Sequence, residues 1–228
     1  MVVNDDFKKL ITRCDIAIRR LKNMPDTIET EIILCSSKEE LFRKRCELTG
    51  NPSALLNLLY NKDKYSNAAG CYIIPPKDKY QFTILLLRST SDFYDAYNFA
   101  HELVHISNYF EYLNASSCTN PFEPLEKQKF TLWDEYNARY ISTIAMIEIL
   151  EPKVNKKDLC HCIKVIGDVL RKCVTEDNIE SYDGSQLLGF VEAALEKDII
   201  PNYSAYLSAN EISVLERRKN VVDINRFI

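Results

Sequence analysis

The chain has 228 residues, of which 46% are hydrophobic and 27% charged, and its net charge is −4 at neutral pH. This is an ordinary globular composition, with room for one sizeable domain or two small ones. The mild acidity gives no electrostatic reason to expect a direct nucleic-acid partner, and no apolar run approaches the length of a membrane span.

Residues 5–23 read as a first helix, with Phe7, Leu10, Ile11, Ile16, Ile18 and Leu21 set among basic residues. The preceding Met1-Val2-Val3-Asn4 and the residues after it lack the basic-then-apolar layout of a secretory signal, so the expected setting is cytoplasmic. There the eight cysteines are expected as thiols rather than disulfides. The sequons at Asn114 and Asn202 are expected to stay unmodified. Thr30 to Cys35 is a strand candidate. Ser36-Ser37-Lys38-Glu39-Glu40 offers a cap and an acidic first turn for a helix ending near Gly50, and Asn51-Pro52-Ser53 starts a short helix through Tyr60. Cys71–Ile74 and Tyr80–Arg88 read as strands joined by Pro75-Pro76-Lys77-Asp78, with Cys35 and Cys71 as small apolar fillers. The run Phe82 to Leu87 is apolar on both faces; its length and turn-rich flanks favour a buried strand over a helix.

The next segment carries the chemistry. His101-Glu102-Leu103-Val104-His105 spells H-E-x-x-H and takes two of the three histidines of the chain. Ser89-Thr90-Ser91-Asp92 supplies N-cap candidates, and no proline interrupts the run to about Leu113. Imidazoles one helical turn apart share a face and can bind one tetrahedral metal, with the intervening glutamate beside a metal-bound water. At ~100° per residue, Phe99, Leu103, Ile106, Phe110 and Leu113 form an apolar stripe. Tyr94, Asn98, His101, His105 and Asn108 lie opposite, so the histidines are expected to face a polar cleft.

Beyond a polar loop near 114–124 the chain reads as helices over about 125–150, 156–174, 185–197 and 205–219, punctuated by Pro152 and Pro201. The break near Pro152 divides a catalytic domain, 1–150, from a helical extension, 151–228, or marks one turn within a single domain. Cys160-His161-Cys162 is read as structural filler, because alternate residues do not share a helix face.

A catalytic zinc keeps three protein ligands and a water. The extended three-histidine pattern is absent, with Asn108 and Glu111 at its glycine and last histidine positions, and His161 is a remote candidate. Glu135 is the preferred third ligand. It opens a helix whose continuation is apolar on most sides, and a carboxylate buried there needs a partner or an ion. Its face carries the small residues Thr131, Ala138 and Ser142. Pairing with Arg139 at i,i+4 is the plainer alternative; Asp134, Glu111 and Glu148 are the other acids weighed.

Tyr97-Asn98-Phe99-Ala100-His101-Glu102-Leu103-Val104-His105 resembles the F-x-x-A-H-E-L-x-H stretch of the ImmA/IrrE-type zinc metallopeptidases, and residues 70–145 follow the order of the glutamate-ligand zincins. The match is Ala100 to Leu103 plus His105, with Phe99 one or two places off the family's aromatic, and two further departures stand beside it. The downstream stretch Glu135-Tyr136-Asn137-Ala138-Arg139-Tyr140 differs from the family's E-A-N-x-F-A, and Arg139 replaces the aspartate of the thermolysin-like E-x-x-x-D. The resemblance implies an α+β, zincin-like fold, with a small mixed sheet packed on the H-E-x-x-H helix and a helical C-terminal part. It implies Zn2+ on His101, His105 and Glu135, Glu102 as general base, and a partner or regulatory protein or peptide as substrate. Tyr140, Arg139 and His161 are candidate transition-state donors, and strand 80–88 is an expected edge for an extended substrate. Other readings are a non-catalytic interaction module with a structural or vestigial metal site, and a hydrolase of a non-peptide bond.

Overall fold

In the computed structural model, the described residues are 5–50, 70–73, 80–116, 128–150, 182–199, 202, 204 and 207–223. They form a mostly helical α+β protein with six helices and one three-stranded sheet. The chain divides into two compact units, 1–106 and 107–228. The helix assignments for 52–60 and 156–174 and the break near Pro152 fall outside the described residues.

In the first unit, α1 (Asp5–Lys22) buries Phe7, Cys14, Ala17 and Ile18 along one face and leaves Ile16 in solvent. It ends where Asn23 takes a left-handed conformation (φ 48°). Arg19 closes that end by pairing with Asp15 at 3.0 Å and donating to the Ile28 carbonyl at 2.9 Å. Strand β1 (Glu29–Cys35) follows, then α2 (Lys38–Thr49). Ser37 caps α2 by accepting the Glu40 amide, and Gly50 ends it at φ 64°, a conformation glycine adopts without steric cost.

Strands β2 (Gly70–Ile73) and β3 (Gln81–Leu87) complete the sheet in the order β1-β3-β2. β1 runs parallel to β3, from Glu29↔Gln81 to Cys35↔Leu87, and β2 antiparallel to it, from Gly70↔Leu86 to Ile73↔Thr83. The run that reads apolar on both faces is thus the central strand. Leu85 packs with Cys35, Ile73, Leu41 and Phe42, the last two from α2, while Phe82, Ile84 and Leu86 are buried on the other face. Each such side chain contributes about 1.5–3 kcal/mol through burial. The central position corrects one expectation: β3 is paired along both sides, so an extended peptide has no edge to join there.

Helix α3 (Asp92–Ala115) passes the unit boundary after Ile106. In the second unit, Tyr112 near its end packs with Phe130 and Trp133 of α4 (Gln128–Leu150). α5 (Tyr182–Glu196) lies along α4, and α6 (Ala209–Val221) starts with a capping box between Ser208 and Glu211. Leu132, Leu188, Val191, Ala194, Leu207, Leu215 and Val222 form their shared core. Gly189 sets the approach of α5 to α4, because a Cβ there would lie 2.2 Å from the Tyr136 carbonyl oxygen.

Candidate metal centre

The turn between β3 and α3 pins the start of the motif helix. Ser91 Oγ, one of the four N-cap candidates in the sequence, accepts the Tyr94 amide at 3.2 Å. Arg88 pairs with Asp92 and Asp95, each at 2.8 Å, and its guanidinium lies 4.3 Å from the centroid of the Phe7 ring. Asp95 is fully buried and also accepts the Ser89 amide at 3.0 Å. A buried carboxylate held by a cation and a backbone amide is a fixed anchor, since freeing it leaves charge in a poorly solvated place.

Two turns onward, the Nε2 atoms of His101 and His105 approach to 3.0 Å, with ring planes at 83°. With one ring protonated at Nε2 and the other not, this is a hydrogen bond. Two imidazoles at zinc–nitrogen distance around a tetrahedral ion sit at nearly the same spacing, roughly 3.3 Å. Tyr72 of β2 stacks on His105, ring centroids 5.8 Å apart. Gly70, two residues earlier, stands where a Cβ would meet Glu102 Cγ and Oε1, each at 3.1 Å. Burial pushes the thiol of neighbouring Cys71 up to about 12, opposed by Arg45 and reinforced by the Glu102 carboxylate.

The expected polar cleft is not what α3 faces. Every residue from Asn98 to Tyr109 is buried, with His101 at 5%, Glu102 at 8% and His105 at 4% exposure. Polar residues can occupy a covered helix when their groups find partners. Asn108 Nδ2 does so by donating to Asp134 Oδ1 at 2.8 Å.

Glu135 of α4 is also buried, and Gln186 Nε2 of α5 donates to its Oε2 at 2.6 Å. The two histidines bring their ring nitrogens together on α3, and Glu135 is a buried carboxylate on α4. Two imidazole nitrogens and a carboxylate oxygen are a donor set that suits zinc, so these residues fit the ion that the sequence motif implies.

The other candidates have different surroundings. Asp134 bonds Asn108, Glu148 pairs with Lys197 at 2.9 Å, and Glu111 is exposed. Arg139 donates to Gln186 Oε1 at 2.9 Å. The Tyr140 hydroxyl donates to Glu196, and burial, with Glu196 beside it, holds its pKa above the usual tyrosine range. His161 and its flanking cysteines lie outside the described residues. Sequence reasoning missed Tyr72, Asn108 and Gln186 as neighbours of the candidate ligands. Asn108 was legible as a polar residue on the histidine side of the helix; nothing local marks Gln186. Comparison with protein-family models, curated proteins and solved structures finds no match for this chain, so the likeness to the ImmA/IrrE metallopeptidases stands on the motif and its surroundings.

Proposed function

We propose that this chain is a zinc-dependent metallopeptidase with a zincin-like fold, acting in the cytoplasm on a partner or regulatory protein. The observation that carries the reading is the 3.0 Å approach of the two Nε2 atoms within the H-E-x-x-H motif. His101, His105 and Glu135 would hold the metal. Zinc supplies a lowered pKa for a bound water and polarisation of the scissile carbonyl. Glu102 accepts the proton of the attacking water and delivers it to the leaving nitrogen. No described helix is long and apolar enough to cross a membrane, which suits this setting. Burial favours a second reading, since a group as covered as Glu102, 8% exposed, also suits a structural metal in an interaction module.

The test is metal analysis of the purified chain beside His105→Ala. About one equivalent of zinc in the parent and none in the variant supports the metal site; a parent without zinc removes it. Glu102→Gln then separates the two readings. Zinc retained with cleavage of unstructured protein substrates lost supports catalysis. Zinc and biological activity both retained supports the interaction module.

A further inference from the structure

We propose that Gln186 is a positioning residue for the metal-binding carboxylate of Glu135. The inference rests on the ligand set His101, His105 and Glu135 proposed above and adds a residue from a helix that the motif does not mention.

The side-chain amide of Gln186 lies between two groups of fixed polarity. Its Nε2 donates to Glu135 Oε2 at 2.6 Å, and its Oε1 accepts from Arg139 Nη2 at 2.9 Å. A carboxylate only accepts and a guanidinium only donates, so both neighbours demand the same orientation of the amide. Reversed, it would place like groups against both. Arg139 therefore locks Gln186, and Gln186 locks one carboxylate oxygen.

The backbone arrangement supports this placement. Gly189 lies three residues after Gln186, and the main chain of Tyr136 comes close enough there to exclude any side chain. The next turns of α5 repeat the pattern: Glu192 accepts from Tyr136 at 2.5 Å, and Glu196 accepts from Tyr140. Gln186, Glu192 and Glu196 thus face Glu135, Tyr136 and Tyr140 in order along the two helices, and the first of these contacts holds the candidate ligand.

A fixed donor on one oxygen orients a carboxylate ligand, which is how supporting hydrogen bonds tune metal sites.

The experiment measures zinc affinity of the full chain by competition with a chelating indicator, together with the visible spectrum of the cobalt-loaded protein. Gln186→Met keeps the length of the side chain without its donor. We expect about 10–100-fold weaker zinc binding, an altered cobalt spectrum, and a metal-free far-ultraviolet circular dichroism spectrum like the parent's. In the Glu135→Ala background, adding Gln186→Met should change the affinity little further, because the two act as one unit. Gln186→Glu, facing Glu135 with a second carboxylate, should also bind zinc less tightly than the parent. If the parent binds zinc and Gln186→Met matches it, the role of Gln186 is refuted while the metal site stands. Equal losses with and without Glu135 also refute the role. If the parent itself fails to bind zinc or cobalt, the ligand set falls and this inference falls with it.

Discussion

Helices α3 and α4 are of similar length, 24 and 23 residues, and both bury polar groups, yet the partners of those groups come from different distances along the chain. On α3 the Arg88–Asp92 and His101–His105 contacts join residues four apart, and Ser89 meets Asp95 six apart, with Asn108, which reaches Asp134 on α4, the exception. On α4, Glu135, Arg139, Tyr136, Tyr140 and Glu148 meet partners 47 to 56 residues away on α5 and just beyond it. The first kind of contact is written into a local pattern and forms with the turn and helix themselves. The second exists only after two helices have packed, and then only if their approach and register are right.

Four measurements break or sharpen that contrast. The largest effect is expected at the start of α3. Asp95→Ala removes a fully buried carboxylate and deprives Arg88 of one of its partners, and should cost about 3–5 kcal/mol in urea unfolding. Asp92→Ala, at a side chain 33% exposed, should cost under about 1 kcal/mol. Equal costs would mean that burial is not what makes this anchor strong. Next comes Gly189→Ala, where the new methyl group meets the Tyr136 carbonyl and forces α5 away from α4. A loss of about 1–3 kcal/mol is expected, along with weaker zinc binding through Gln186; unchanged stability would show that the helices slide apart freely. Smaller again is Ser208→Ala, which removes one half of the α6 capping box and should cost about 1 kcal/mol without altering metal binding.

The smallest effect concerns alkaline pH. Tyr140 ionises at higher pH in the folded chain than in the unfolded one, so its contribution is whole below about 10, the ordinary tyrosine value, and is lost as pH rises above that. Unfolding midpoints measured from pH 9 upward should therefore fall less steeply in Tyr140→Phe than in the parent. Parallel curves would show that this hydroxyl does not contribute through the α4–α5 contact.

The same contrast explains what was legible beforehand. The first helix, β3 as a buried strand, the N-cap at Ser91 and the facing pair of histidines all follow from residues within a few positions of one another. Glu135 was singled out because a carboxylate at the head of an apolar helix needs a partner, but its partner Gln186 could not be named, since an amide on a separate helix carries no pattern of its own. Arg139, weighed as the partner of Glu135, donates to the same Gln186 amide that donates to Glu135. The polar face of α3 was read correctly as a set of residues and wrongly as a cleft, because periodicity distinguishes faces without showing whether a face is covered. The start of α6 was placed too early, although Ser208 and Glu211 show the S-x-x-E spacing of a capping box in the sequence itself.

Gly70 gives this chain a natural gauge for the proposed base. The first atoms that a methyl group at position 70 would meet belong to the side chains of Glu102 and Leu86, all at 3.1 Å, with no main chain among them. Added bulk is therefore absorbed by tenths of an ångström of side-chain movement. A graded series at this one position, alanine and then serine, would nudge a carboxylate oxygen while leaving both imidazoles on their own helix, and so measure how finely proton acceptance depends on where that oxygen stands.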